Sequence, residues 1–165
     1  MPQAMYIICS EYACIDKDSN FVSCFKILEN ARLERVEAPG AYGWMMFVVA
    51  CWMREDADLG QTFEGEITVT PPWQPNPVVT SRFVPFTFPT PIYRMYSPQL
   101  IVPQVPDGIP LRSGLMRVEA RIRRQGTDEW LRQSHLIRID VPVEEAHPEI
   151  PDAVQPAETN PGQTG

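Results

Sequence analysis

Eighteen prolines limit what this chain can fold into more than any other feature of its sequence. Proline lacks a backbone donor and holds φ near about −65°, so it interrupts helices and is accommodated at strand ends, sheet edges and loops. Eleven of the eighteen fall between residues 71 and 110. With 165 residues, 44% of them hydrophobic and 21% charged, the chain can bury one ordinary core. A proline-rich core-forming chain without helix-period patterns is expected to be all-β.

The strand signals follow in order. Residues 5–13 (MYIICSEYA) are rich in β-formers, and they run into the turn cluster Asp16-Lys17-Asp18-Ser19-Asn20. Residues 21–28 form the return strand of an N-terminal hairpin. Residues 29–36 (ENARLERV) are the one place a helical turn fits, closed by Pro39 and Gly40. Residues 44–53 (WMMFVVACWM) are apolar on both parities, as in a strand covered on both faces. The acidic loop of Glu55, Asp56 and Asp58 ends that strand. Residues 62–70 (TFEGEITVT) then alternate, with Phe63, Gly65, Ile67 and Val69 inward and Glu64, Glu66 and Thr68 on a wet outer face. The proline-rich stretch is expected to supply edge strands over 78–88 and 99–102.

Residues 115–124 and 130–141 alternate most clearly and make a final hairpin. Centring the turn on Thr127 and Asp128 sets apolar against apolar. Met116 then opposes Ile139, Val118 opposes Ile137, and His135 opposes Ala120. The same register opposes Arg123 to Arg132 and Arg117 to Arg138. Seven to eight strands of this kind indicate an antiparallel β-sandwich, immunoglobulin-like or C2-like, over residues 1–142. Residues 143–165 combine prolines and acids with few large apolar groups and are expected to be a disordered acidic tail.

The net charge of −7 belongs to the end of the chain. Residues 140–165 hold six acids and no Lys or Arg, which leaves 14 basic and 15 acidic residues for the body. A nearly neutral body argues against a nucleic-acid partner, which calls for a basic surface. The first residues show no basic region followed by a long apolar run, and 44–53 is too short for a membrane helix of ~20 residues. A cytoplasmic location is therefore expected, with the four cysteines as reduced thiols.

Three stretches resemble an uncharacterised bacterial domain-of-unknown-function family of small β-sandwich proteins. They are the opening strand and Asp-rich turn (YIICSEYACIDKDSN), the small-x-Phe pattern at Ser23-Cys24-Phe25, and the Gly-led hairpin from Gly114 to Ile139. The likeness spans residues 4–141, with Asn20 and Ser23 where glycines are expected. It implies the sandwich fold and carries no activity with it.

Few residues suggest chemistry. Cys9, Cys14, Cys24 and Cys51 lack the paired spacing of a zinc knuckle and read as small buried hydrophobes. Asp16, Asp18 and Asn20 copy the start of a calcium loop, but Phe21 and Ile27 stand where glycine and the closing glutamate belong. The loop of Glu55, Asp56 and Asp58 would have to meet them at one end of the sandwich. His135 sits on the inward parity and Ser134 on the outward one, so they form no nucleophile–base pair. His147 is in the tail. With no phosphate loop, nucleophile elbow or dinucleotide fingerprint, neither an enzyme nor a cofactor is expected.

Five arginines stand out: Arg117, Arg121, Arg123, Arg132 and Arg138 share the outer face of the final hairpin. Like charges opposed on a sheet are unfavourable unless neutralised. Glu119 and Asp140 offer part of that relief, and a solvated face is the simpler reading. The sharper expectation is an anion- or partner-binding face in an interaction or assembly module. Its ligand would be a protein partner, a phosphate or the chain's own tail, with Glu144 and Glu145 folding back over a short loop. Self-association is left open. The alternative is a small enzyme or metal-dependent ligand-binding domain built on the sandwich loops. A nucleic-acid reading would require Trp73, Tyr93 or Tyr96 beside the arginines.

Overall fold

The computed structural model describes residues 1–16, 21–32, 34–35, 42–101 and 112–141. Their strands are β1 (Gln3–Ile15), β2 (Val22–Ile27), β3 (Asn30–Arg32), β4 (Glu34–Arg35) and β5 (Tyr42–Met53), followed by β6 (Phe63–Thr70), β7 (Val78–Phe86), β8 (Ile92–Ile101), β9 (Gly114–Arg124) and β10 (Leu131–Asp140). The described part is all-β apart from one short 3-10 turn at Asp56–Asp58. Among the described residues no helix is long and apolar enough to cross a membrane.

The strands form two five-stranded sheets in a sandwich-like arrangement. The first runs β2-β1-β5-β4, with β8 also paired to β5, and the second runs β3-β10-β9-β6-β7. Ten strands replace the expected seven to eight. The extra pair, β3 and β4, occupies the segment expected to turn as a helix. An eight-residue segment is too short to hold a helix by itself, and here tertiary partners supply its hydrogen bonds. β3 lies parallel to β10, with Ala31 level with Ile139, and β4 pairs with the start of β5.

The core lies between the sheets. Met46, Val48, Ala50 and Trp52 of β5, with Cys9 and Met95, face Phe63, Ile67, Met116, Val118, Ile122, Ile137 and Ile139. Each fully buried aliphatic or aromatic side chain contributes on the order of 1.5–3 kcal/mol from water exclusion. The double-sided apolar run of β5 is covered on its second face only in part: Val49 and Cys51 on that parity are buried between β1 and β8, whereas Met45 and Met53 are exposed.

Polar groups tie the layers together at three places. Leu28 donates its N–H to the Cys9 carbonyl (2.8 Å), and its own carbonyl accepts from Nε2 of His135 (2.9 Å). Since a carbonyl only accepts, Nε2 carries the proton. Gln133 Nε2 donates to the Cys51 carbonyl at 3.1 Å, and the Ser81 and Ser97 hydroxyls meet at 3.0 Å. His135 is thus a structural link, opposite Val118 rather than Ala120.

The clean alternation of β6 does not give a wet face. Glu66 is 7% exposed and Thr68 only 2%. β6 is an interior strand with β9 on one side and β7 on the other, so neighbouring side chains cover both of its flanks.

Candidate binding groove on the second sheet

The final hairpin closes earlier than the apolar pattern alone suggests. Thr127 N–H donates to the Arg124 carbonyl at 3.1 Å, and its hydroxyl donates to the same oxygen at 2.8 Å. Gly126 takes φ +82°, a left-handed value that glycine adopts without steric cost. The turn centres there, and the register slides by two residues: Met116 opposes Ile137 and Val118 opposes His135. Parity is kept, so the five arginines still share one face. Arg123 opposed to Arg132 and Arg117 opposed to Arg138 are both corrected. Arg121 opposes Arg132, Arg117 opposes Leu136, and Arg138 opposes Leu115.

The neighbouring strand supplies the missing countercharge. β6 runs antiparallel to β9 with Glu64 level with Arg123 and Glu66 level with Arg121. Arg121 forms a close charged hydrogen bond with Glu66, whose other oxygen lies 3.6 Å from Arg82. Arg123 bonds Glu64 at 2.9 Å and has Asp128 at 3.7 Å. Both guanidinium groups also lie 4.7 Å from the ring centre of Trp130, within cation–π range. Arg132 has Glu119 at 4.0 Å, and Arg138 has Asp140 at 3.3 Å. The relief expected from Glu119 and Asp140 is present, but Glu64, Glu66 and Trp130 do more. The complementary charge pattern of FEGE against RIRR is the sequence signal for that pairing.

Arg117 differs from the other four. It is exposed, and among the described residues it has no ion pair or hydrogen bond. It lines a groove of about 480 Å³ whose floor is the outer face of β6, β9 and β10. One wall is the chain after β6, with Pro71, Pro75 and Pro77 at the surface. Trp73, only 6% exposed, anchors this arm in the core. Gly114 lets the arm approach, because a Cβ there would lie 2.7 Å from Cβ of Pro72. Leu115 and Leu136, 62% and 50% exposed, flank Arg117. A cation between two exposed leucines, facing a wall of prolines that offers no N–H donors, suits an acidic group carried on an apolar segment.

The other candidates separate. Tyr93 stacks on Phe86 with ring centres 4.3 Å apart, and Tyr96 stacks on Phe47 at 5.8 Å. Both belong to the first sheet, so neither they nor Trp73 stands beside the arginines. Burial raises the pKa of the Tyr93 phenol. Glu55 accepts from Gln3 at the start of β1, whereas Asp16 follows its far end, roughly 40 Å away at the usual strand rise. The two acidic clusters therefore do not meet. Asp58 is fully buried, accepts from the Glu55 N–H at 3.1 Å and lies 3.6 Å from Arg124. Among the described residues no three His, Cys, Asp or Glu side chains are grouped to hold a metal ion. All four cysteines are free thiols; Cys9 and Cys51 are buried, Cys24 is half-buried and Cys14 is exposed. Burial pushes the Cys9 thiol up to about 12, with Cys24 adding to the effect. Asp18, Asn20, His147, Glu144, Glu145 and the tail lie outside the described residues.

Compared with protein-family models and with curated proteins, the sequence matches none.

Proposed function

We propose that this protein is an interaction module, on an immunoglobulin-like or C2-like sandwich, that holds an acidic segment of a protein partner in the groove of the second sheet. The observation that carries the reading is Arg117, the groove cation without a countercharge among the described residues. Its neighbours Leu115 and Leu136 add apolar contact on either side. The remaining arginines orient rather than bind: their carboxylate partners hold the sheet face rigid around the groove. The suggested likeness to bacterial sandwich proteins of unknown function belongs to the same reading.

The test is fluorescence anisotropy with labelled peptides that alternate leucine and glutamate, against the full chain and its variants. A charged hydrogen bond contributes about 1.5–3 kcal/mol, so Arg117→Gln should weaken binding roughly 10- to 100-fold. Arg138→Gln, whose guanidinium is already turned to Asp140, should leave binding within about twofold, a few tenths of a kcal/mol. Removing residues 143–165 should increase retention on anionic resin in a salt-sensitive way if the acidic tail competes for the same face. Equal peptide affinity for wild type and Arg117→Gln would reject the groove. An unchanged elution profile after tail removal would reject the masking role alone.

A further inference from the structure

The outer face of the first sheet carries a second surface, opposite the groove. Its rows follow from the register. Ser10 is level with both Ile27 and Phe47, and Tyr12 is level with Phe25. The β1–β5 pairing ends at Ser10–Phe47, and extending it by two residues on each strand would bring Met45 level with Tyr12. Tyr12, Phe25, Ile27 and Met45 are 59%, 57%, 56% and 59% exposed. Met5 and Tyr6 extend the patch toward the other end of β1. The smaller residues of the same parity, Ser10, Val49 and Cys51, are buried among them. Two cations touch this face: Lys26, paired with Glu11 at 2.8 Å, holds its ammonium 5.5 Å from the Tyr12 ring centre, and Arg94, level with Cys51, donates to the Tyr6 hydroxyl at 3.3 Å.

From these observations we infer that this face joins two copies of the chain, outer sheet against outer sheet, in a two-fold dimer. The available area fits. Taking roughly 200 Å² for a large side chain, the exposed fractions of the six residues sum to on the order of 600 Å² per copy. That per-copy area is at the upper end of what a monomer leaves open, and two copies then cover about 1,200 Å², the lower bound of specific interfaces. In a two-fold interface the same patch must complement itself, which a mainly apolar surface with its lysine already paired to Glu11 can do and a surface of one charge sign cannot. Sheets stack face to face at about 10 Å with interdigitated side chains, and the row of Tyr12, Phe25 and Met45 offers large groups for that layer. The groove lies on the other sheet and stays open in such a dimer.

Sedimentation equilibrium of the full chain at tens of micromolar reads the result directly. Wild type should show twice the chain mass of 18.8 kDa. Phe25→Glu and Met45→Glu each place two buried charges in a symmetric interface and should return the mass to 18.8 kDa with an unchanged circular dichroism spectrum. Val84→Glu, at a residue 83% exposed on β7 of the other sheet, should remain dimeric. Arg117→Gln should also remain dimeric, which separates this inference from the fate of the groove. A monomeric wild type overturns the inference, whether or not the same face then captures lipid vesicles or another protein. So does a dimer that persists in folded Phe25→Glu and Met45→Glu.

Discussion

Replacing Glu66 with alanine tests the central claim about the arginine face, namely that its charges are balanced from β6. Glu66 is 7% exposed and accepts from Arg121, whose side chain is 21% exposed. Removing one partner of a buried pair costs about 3–5 kcal/mol, because the other charge stays behind in a poorly solvated place. Partial exposure of Arg121 lowers this, and about 2–3 kcal/mol is expected after allowing for solvent screening. The register adds a penalty, since Arg121 directly opposes Arg132, and with Glu66 gone Arg82 also loses its carboxylate. Opposed like charges contribute up to roughly 1 kcal/mol. Urea unfolding should therefore show Glu66→Ala less stable by about 2–4 kcal/mol with an unchanged m-value. Replacing both partners by similar apolar groups, Glu66→Leu with Arg121→Met, should recover most of the loss, because two desolvated charges leave together. The looser pair Arg132–Glu119, 4.0 Å apart with Arg132 56% exposed, supplies the contrast, and Glu119→Ala should cost under about 1 kcal/mol. A Glu66→Ala cost below about 1 kcal/mol, or additive single losses in the double variant, would refute the claim that the pair is desolvated and coupled.

Two further outcomes follow from the turn and from the buried thiol. Gly126→Ala should destabilise by about 1–2 kcal/mol in the same assay, and Gly126→Asn by less. Nothing lies within 4 Å of the added Cβ, so the loss would come from the left-handed backbone alone. Cys9 keeps its proton in the folded state until about pH 12, against an ordinary value of 9.0. Its contribution is complete below pH 9.0 and is lost as pH rises toward 12, with a slope of up to about 1.4 kcal/mol per pH unit. Unfolding measured across that window should fall less steeply for Cys9→Ala than for wild type. Iodoacetamide should modify exposed Cys14 first and leave Cys9 and Cys51 untouched until the chain unfolds.

Strand identity was legible wherever one parity was apolar, as in β9 and β10, or where both were, as in β5. Those patterns mark the strands themselves, but the apolar second parity of β5 does not report a covered face, since Met45 and Met53 on it are exposed. Register was less legible, because apolar matching repeats every two residues and leaves the turn to choose. Gly126 chose, and the opposed arginine pairs changed with it. Glu64 and Glu66 look solvent-facing from the alternation of β6 alone, which carries no information about the neighbouring strand. β6 and β9 are separated by some fifty residues, and only the FEGE–RIRR complementarity hinted that they pair. β3 and β4 carry almost no local strand signal and take their conformation from β10 and β5. The groove was the least legible feature, since it needs the proline arm, the Trp73 anchor and Gly114 to come together.

The stitch at Leu28 and Glu29 ties the N-terminal hairpin to the last strand of the chain. Leu28 bonds Cys9 on one side and His135 on the other, and the Glu29 carbonyl accepts from the Arg138 N–H at 2.8 Å. The first sheet draws all its strands from residues up to 101, but the seam waits for β10, more than a hundred residues after Leu28. During synthesis β6 and β7 can cover only part of the inner face of the first sheet, with Met46, Val48, Trp52 and Met95, before the last hairpin emerges. Contacts of such long sequence separation close slowly, and an apolar sheet kept waiting is vulnerable to aggregation. A substitution that slows docking of the last hairpin is therefore expected to lower soluble yield by more than its effect on equilibrium stability.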